Sequence, residues 1–424
     1  MKTFVRLATA FAVVAATFIG TPASAQESGC GYGSGGDYAS TICWIDMSGF
    51  DQTTAMSTAG QPMTIELNAD YSMSFTFKFT AGADGYRVLK PTAFPTYSKA
   101  PIGNTAYTGT PGKPALYQQV DAGTGASGDL GTLTIEDLTV TGPSGQAVDG
   151  YGIVMADAES TNRSEGLTFA SDEPIEELTR ATMPDALPAC GQELSGLGTT
   201  SVTCKGNTAG GLAVEEIVLY ADSPTTASIG FLDRTANAVQ GVAFGVLTAK
   251  VGLSKTVVDK TTDTDSFGLS IEDDADNLIG EGSTEGGDAG SIPATTVLAG
   301  LDGRDYTFTE TAEGDTDLST YTEDWSCTNN GQADDALPSG NGTTKTVAVK
   351  VGDDIRCTIT NTGAPVVDPT TSAAATPVDN PTSSNALPET GGNATTYALL
   401  AAAALAAATA GWLILRRSRT AKEW

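Results

Sequence analysis

The chain has 424 residues, with 22 Lys and Arg against 51 Asp and Glu, and it contains no histidine. The lack of histidine excludes Ser-His-Asp and Cys-His nucleophile pairs, imidazole general bases and His-ligated metal centres. A formal charge of -29 leaves few cations for phosphate contacts, so the sequence predicts no nucleic-acid partner. The remaining chemistry would depend on carboxylates, Lys, Tyr or Ser, and the sequence predicts no cofactor.

The amino-terminal 25 residues have the pattern of an export signal. Lys2 and Arg6 precede an apolar run over residues 7–20, and Ala23-Ser24-Ala25 supplies the small residues typical of a signal peptidase site. We therefore expect residues 1–25 to be removed and the rest of the chain to be exported.

Residues 26–250 contain short segments in which apolar and polar residues alternate, for example at 63–67, 73–79 and 216–220. Alternation with a period of two predicts β-strands with one buried and one wet face. No segment recurs at a fixed period, which argues against a solenoid or a propeller. The region is predicted to be one all-β domain of the sandwich type. The glycine-rich residues 31–36 are predicted to be a flexible lead-in.

Residues 251–363 show the same alternation at 267–271, 306–308, 347–349 and 355–359. Turn residues separate these segments, and none has a helical apolar stripe. This pattern predicts a second, smaller β-sandwich of the Ig-like type.

The six cysteines predict three disulfides on an exported chain, although sequence alone leaves the connectivity open. Proximity along the chain favours the pairs Cys30 with Cys43, Cys190 with Cys204, and Cys327 with Cys357. None of them has the CxxC spacing of a metal or redox site. The acids between residues 263 and 276 do not follow the EF-hand pattern either, so the sequence predicts no metal site.

Asp157, Glu159 and Glu165 follow an apolar run at residues 153–155. A pair of carboxylates is the requirement of a glycoside hydrolase, so this cluster keeps a hydrolase open as an alternative. Acids at the end of a strand also serve as a solvated rim, as turn caps or as hydrogen-bonding groups for a ligand.

Several segments of the larger region carry a family resemblance: Tyr38-Ala-Ser-Thr-Ile-Cys43-Trp44-Ile-Asp46, Gly103-Asn-Thr-Ala-Tyr107-Thr-Gly109-Thr-Pro111-Gly112-Lys-Pro-Ala-Leu116-Tyr117, Ala156-Asp157-Ala158-Glu159-Ser160-Thr161-Asn162 and Gln240-Gly-Val-Ala-Phe244-Gly245. They resemble the second non-repetitive domain of CshA-type fibrillar adhesins. The resemblance implies a lectin-like β-sandwich that binds a host matrix protein, glycoprotein or glycan; streptococcal members are associated with fibronectin. This chain lacks the long repeat array of those adhesins, so fibril formation does not follow.

We place the ligand contacts of this domain at the loop that carries Asp157, Glu159, Ser160 and Asn162. Loops on a rigid sandwich commonly carry function, and these side chains supply donors and acceptors for a hydroxyl-rich ligand. An internal role stays open, in which Trp44 and Phe244 belong to the core and Asp157 caps a turn.

The smaller region resembles the Cna B-type, prealbumin-like stalk domains of Gram-positive adhesins and pilins. In that family a Lys of the first strand joins an Asn of the last strand, with help from a buried acid. Lys255, Asn361 and Glu310 match those positions, so the resemblance implies an intramolecular isopeptide bond. The chain has no Tyr-Pro-Lys pilin motif, which disfavours a pilus shaft subunit and leaves a pilus tip protein open.

The carboxyl-terminal residues have the layout of a wall-anchoring signal. Residues 364–386 are rich in Pro, Thr, Ser and Ala and predict an extended spacer. An apolar run at 396–415 predicts a membrane span, and the basic tail at 416–424 predicts that the rest of the chain lies outside the cell. The motif that precedes the span is Leu387-Pro388-Glu389-Thr390-Gly391.

Motif, span and tail together, at residues 387–424, resemble the sortase signal of Gram-positive surface proteins. The resemblance implies that a sortase cuts after Thr390 and joins its carbonyl to a cell-wall precursor, so the membrane is only a transient partner. Removal of both ends takes away six of the 22 basic residues and one of the 51 acidic residues, which leaves a net charge of -34.

The sequence as a whole predicts a wall-anchored, non-enzymatic adhesin with a lectin-like domain, a covalently locked stalk domain and a spacer. A wall-displayed carbohydrate-active hydrolase and a structural coat or pilus-tip protein are the alternatives.

Overall fold

The computed structural model describes residues 29–142, 145–162, 165–208, 213–299 and 303–364. These residues are nearly all β, as the sequence predicts. The predicted signal peptide, the spacer beyond Ala364, the sorting motif and the membrane span lie outside the described residues. Within the described ranges no helix is both long enough and apolar enough to cross a membrane.

The first domain is built from fifteen strands that join in one continuous hydrogen-bonded sheet. In chain order the strands are β1 (Cys30–Gly31), β2 (Ile42–Ile45), β3 (Gln61–Glu66), β4 (Ser72–Thr80), β5 (Arg87–Thr92), β6 (Ala115–Gly123), β7 (Gly128–Thr141), β8 (Ala147–Val148), β9 (Gly152–Asp157), β10 (Gly166–Ala181), β11 (Glu193–Ser195), β12 (Thr199–Lys205), β13 (Glu216–Asp222), β14 (Ala227–Asp233) and β15 (Gly241–Leu247). Two short helices, α1 (Gln52–Ala55) and α2 (Pro101–Asn104), and a 3-10 turn at Met47–Gly49 connect them.

The long strand β10 allows this sheet to form two packed layers. Its first half pairs with β12 and β14, and its second half pairs with β13. One layer therefore runs β2-β15-β9-β13, and the other runs β14-β7-β4-β3. The rings of Phe77 on β4 and Phe244 on β15 lie 6.3 Å apart between the layers and are fully buried.

The strands β9 and β15 are buried along their whole length, which differs from the predicted alternation of one wet face. Their second face is covered by a separate cluster in which Trp44 packs edge-on against Phe94 and Tyr107. Trp44 and Phe244 are thus both core residues, on opposite faces of the same layer. The connection that carries α2 supplies this cover.

Backbone hydrogen bonds tie the glycine-rich residues 31–36 to this cover, so the predicted flexible lead-in has fixed contacts with the domain although Ser34, Gly35 and Gly36 are exposed. Ser34 N and Thr108 N each donate a backbone hydrogen bond to the other residue's carbonyl oxygen, at 2.9 and 2.8 Å. A Cβ atom at Gly33 would lie 2.6 Å from the backbone of Tyr107. Glycine is needed here because two backbone segments approach each other closely.

The second domain consists of two sheets that pack face to face. Its strands are β16 (Ala249–Val258), β17 (Ser266–Asp273), β18 (Leu278–Ser283), β19 (Ala289–Val297), β20 (Arg304–Glu313), β21 (Tyr321–Asn329), β22 (Gln332–Ala333), β23 (Thr344–Val349) and β24 (Asp354–Gly363), with a 3-10 turn at Leu318–Thr320. One sheet has the order β19-β16-β24-β21-β22, and the other has the order β18-β17-β20-β23. Trp325, Phe308 and Tyr306 fill the core between them.

Only Thr248 separates the last strand of the first domain from the first strand of the second. Hydrogen bonds of 2.8 Å join the domains from Asn68 Nδ2 to Thr296 O and from Ala299 N to Gly150 O. The two domains are therefore held together by more than the chain connection.

The three cysteine pairs favoured by proximity are the disulfides of the structure: Cys30 with Cys43, Cys190 with Cys204, and Cys327 with Cys357. The last of them bridges β21 and β24 at directly opposed residues. The described residues contain no free cysteine.

Candidate functional site

The second domain brings together the three residues that the sequence predicts for an internal amide. Strands β16 and β24 pair in parallel, and Asn361 stands opposite Val257, two residues beyond Lys255. Residues two apart on a strand share a face, so Lys255 and Asn361 face the same side. Glu310 reaches them from β20 in the opposing sheet.

Glu310 contacts both partners through one oxygen atom. Its Oε1 lies 2.8 Å from Lys255 Nζ and accepts a 2.7 Å hydrogen bond from Asn361 Nδ2. The exposed fractions of Lys255, Glu310 and Asn361 are 1%, 2% and 0%. The Lys255 ammonium is close to the carboxylate but makes no aligned hydrogen bond, and Glu310 Oε2 and Asn361 Oδ1 have no partner among the described residues. Buried polar atoms in this state are costly, which favours loss of the charge.

Burial moves both titratable groups toward their neutral forms. It lowers the pKa of Lys255, although the adjacent Glu310 carboxylate opposes that shift. It raises the pKa of Glu310, against the opposing effect of the Lys255 ammonium. A neutral amine is the form that attacks a carbonyl, and a neutral carboxylic acid is the form that donates a proton.

Aromatic side chains close this site from solvent. Lys255 Nζ lies 4.7 Å from the centre of the Phe267 ring. Phe267 packs edge-on against Tyr321 with ring centres 5.1 Å apart, and Val257 completes the small cluster. Sequence reasoning did not assign Phe267 and Tyr321 to the site, because their alternation with polar neighbours is typical of any core strand.

The loop predicted to contact a ligand points its side chains into the interior of the first domain. Asp157 is 1% exposed, and its carboxylate accepts 3.1 Å hydrogen bonds from Glu159 N and Thr161 N. The Thr161 hydroxyl donates to the same carboxylate. Asp157 therefore caps its own turn, the internal role that the sequence left open.

The remaining side chains of this loop are also buried. Ser160 Oγ donates to Val214 O at 3.1 Å, and Asn162 Nδ2 donates to Ser160 O at 2.9 Å. The expectation that Asp157, Glu159, Ser160 and Asn162 face a ligand is corrected by this burial. The physical reason is that the loop leaves β9, a central strand that is covered on both faces.

Buried carboxylates cluster around this loop. Burial raises the pKa of Asp157 to about 7 and that of Glu165 to about 8. Glu216, which sequence reasoning missed, accepts a 2.6 Å hydrogen bond from Ile102 N, and burial raises its pKa well above the usual range. Asp157 and Glu165 support the loop through backbone hydrogen bonds, the latter from Asn162 N at 3.0 Å, whereas Glu216 holds the α2 connection.

A pocket of about 420 Å³ opens at the end of the first domain where β7 and β10 begin and β12 and β14 end. Asp233 in its wall is fully buried and forms a 3.1 Å ion pair with Arg87 Nη1. Lys205 and Arg234 also line the pocket. Sequence reasoning missed it because its residues come from strand ends that only the sheet register brings together.

The sorting residues Leu387, Pro388, Glu389, Thr390 and Gly391 lie outside the described residues. In the described part of the chain, no group of three or more Asp, Glu or Cys side chains is placed to hold a metal ion.

Three family models match the chain, one after the other. Residues 40–247 match the surface adhesin CshA non-repetitive domain 2. Residues 250–363 match a prealbumin-like fold domain of the SpaA type. Residues 379–421 match the LPXTG cell wall anchor motif. A search of curated protein sequences found no match.

Solved structures with low similarity include pilins and adhesins. The major pilin of Streptococcus pyogenes is 14% identical, with a TM-score of 0.21, over 51% of this chain and 99% of the pilin. A Mobiluncus mulieris adhesin containing intramolecular disulfide, isopeptide and ester bond cross-links is 10% identical, with a TM-score of 0.22, over 68% and 99% of the two chains. The N-terminal domain of a Streptococcus gordonii adhesin is 7% identical, with a TM-score of 0.25, over 72% and 84%. With TM-scores this low, none of these likenesses bears on the conclusions below.

The fold and the matched families agree with one another. The LPXTG anchor motif indicates covalent attachment to the Gram-positive cell wall, with the two β-domains exposed at the surface. The chain is therefore a cell-wall-anchored surface protein that combines a CshA-type adhesin domain with a prealbumin-like SpaA domain.

Proposed function

We propose that this chain is a non-enzymatic adhesin whose first domain binds a host matrix protein, glycoprotein or glycan. A sortase attaches it to the wall precursor through Thr390, and residues 364–386 serve as the spacer. The second domain is a stalk. An amide between Lys255 and Asn361 locks its first strand, β16, to its last strand, β24. The match of residues 40–247 to the surface adhesin CshA non-repetitive domain 2 supports the adhesin. The shared contact of Lys255 and Asn361 with one buried Glu310 oxygen supports the locked stalk.

The locking step needs no reagent beyond the three side chains. Neutral Lys255 Nζ attacks Asn361 Cγ, and a C–N bond forms. Glu310 polarises the carboxamide and passes the amine proton to the departing nitrogen, so ammonia leaves as the amide is made. The Phe267 ring shields Lys255 Nζ from water, and exclusion of water favours the neutral amine that this step requires.

The position of the lock suits a protein that is pulled from the wall. Load that enters at the end of β24 would pass from Asn361 to Lys255 and then into β16. Because only Thr248 lies between β16 and β15, the load would continue into a central strand of the first domain. Strands β17 to β23 would lie outside this path, so tension would not peel the second domain apart.

Binding by soluble residues 26–363 to immobilised matrix glycoproteins tests the ligand proposal. We expect saturable binding, with no release of sugar or peptide from the ligand. Enzymatic removal of glycans from the same glycoproteins separates glycan recognition from protein recognition. Ligand turnover would favour the hydrolase alternative, and no binding to any matrix protein or glycan would favour a structural coat protein.

A further inference from the structure

The two carboxylates of the pocket at the end of the first domain already accept internal hydrogen bonds. Asp233 accepts hydrogen bonds from Arg87 Nη1 and from Gln240 Nε2. Asp129 accepts backbone hydrogen bonds of 3.2 Å from Ala83 N and Gly131 N. Both carboxylates of the lining are therefore held by internal contacts.

The two cations of the same pocket, Arg234 and Lys205, have weaker internal contacts than its carboxylates. Arg234 is exposed and forms no ion pair among the described residues. Its charge adds to that of Lys205 in lowering the pKa of Glu193. Lys205 pairs with Glu193, and the side chains keep 29% and 41% of their surface exposed. Solvent screens a pair of this kind, so a ligand anion can compete for Lys205.

The polar network behind the pocket wall is also incompletely satisfied. Arg87 and Gln240 both bond to Asp233 and are fully buried, yet Arg87 Nε and Gln240 Oε1 have no partner among the described residues. Buried polar atoms normally have a partner in the protein or in ordered water. Neither residue lines the pocket, so these two atoms are not counted among the ligand contacts.

The size and the remaining lining restrict the ligand. A volume of about 420 Å³ lies in the range of small-molecule sites and accommodates a single sugar ring. Leu232 offers an apolar contact for the carbon face of such a ring, and Ser127 offers a hydroxyl. Lys205 and Arg234 line the same pocket and are the groups that would contact an anion on such a ring.

We infer that this pocket binds an acidic sugar residue, with its carboxylate held by Arg234 and Lys205. The inference rests on the proposed adhesin function and gives it a location and a ligand class. The net negative charge of the exported chain and the Asp129 and Asp233 carboxylates of the same lining do not favour an anion. The proposed binding therefore depends on direct contact of the sugar carboxylate with the two cations.

The test is a calorimetric titration of residues 26–363 with N-acetylneuraminic acid, with glucuronic acid and with glucose as the neutral sugar. We expect binding of at least one acid in preference to glucose. Arg234→Ala should weaken that binding by about tenfold, since it removes a charge-assisted hydrogen bond. Lys90→Ala, at an exposed position on β5, is the matched control and should bind as the wild type does.

Comparison of the two acids distinguishes a terminal sialic acid from a uronic acid within a longer glycan. Equal affinity for glucose, unchanged binding by Arg234→Ala, or no binding of either acid would overturn the inference. Arg234 is exposed, so the variant should keep the wild-type melting temperature. Wild-type binding to a matrix glycoprotein without binding of either acid would remove this inference and leave the proposed adhesin function in place.

Discussion

Replacement of Glu310 by Gln should prevent the amide between Lys255 and Asn361. The Glu310→Gln substitution keeps the size of the side chain but leaves no acidic proton to exchange with the amine and the departing ammonia. We expect purified wild-type residues 26–363 to be one ammonia lighter than the disulfide-corrected sequence mass. The variant should have the full mass, as measured by intact mass spectrometry.

The stability change follows from the loop that the amide closes. A cross-link across a loop on the order of 100 residues contributes about 4.5 kcal/mol by restricting the unfolded chain. A domain on the order of 110 residues unfolds with an entropy that converts this loss into about 20 °C. Calorimetry should therefore show the transition of the second domain lowered by about that amount in Glu310→Gln.

Glu323→Gln is the matched control for this experiment. Glu323 lies on β21 directly opposite Asn361 and acts on Lys255 and Glu310 only through its charge. This variant should keep the reduced mass and most of the thermal stability. A wild-type chain at full mass, or a Glu310→Gln chain that still lacks ammonia, would refute the reasoning.

Three further predictions concern the first domain and the anchor. Asp157→Ala should lower the free energy of unfolding in urea by about 2 to 4 kcal/mol, because it leaves buried donors of the loop unpaired. An unchanged midpoint of urea unfolding would contradict the buried capping role of Asp157. The first domain should melt at a lower temperature at pH 8 than at pH 5. The unfolded chain releases the protons of Asp157 and Glu165 near pH 4, whereas the folded domain holds them up to about pH 7 and 8, so stability falls as the pH rises through this window. A melting temperature that rises from pH 5 to pH 8 would contradict the raised pKa values. Leu387→Ala or Thr390→Ala should leave the protein in the membrane or the medium, and recovery of either variant with peptidoglycan would show that the motif is not used.

The strands of both domains were predictable because alternation of apolar and polar residues is a local property. The segment predicted at 73–79 lies within the observed strand β4, and the segment predicted at 355–359 lies within the observed strand β24. The grouping of Lys255, Glu310 and Asn361 was also predictable, but through a family resemblance. Nothing local in the sequence places a residue of β20 against two parallel strands of the opposite sheet.

The features that could not be predicted depend on contacts between distant segments. The burial of the Asp157 turn follows from the central position of β9, which the sequence does not state. The close packing of Gly33 against Tyr107 depends on how the α2 connection folds back. The pocket with Lys205 and Arg234 exists only because the register sets four strand ends side by side.

Adhesion of Gram-positive cells that display the full chain, on an immobilised matrix glycoprotein, tests the central claim most directly. Soluble residues 26–363 serve as competitor, and cells without the chain serve as control. The proposed function predicts that displaying cells adhere more strongly and that the competitor reduces their adhesion to the control level. Equal adhesion of both cell types, or adhesion that the competitor does not reduce, would contradict it.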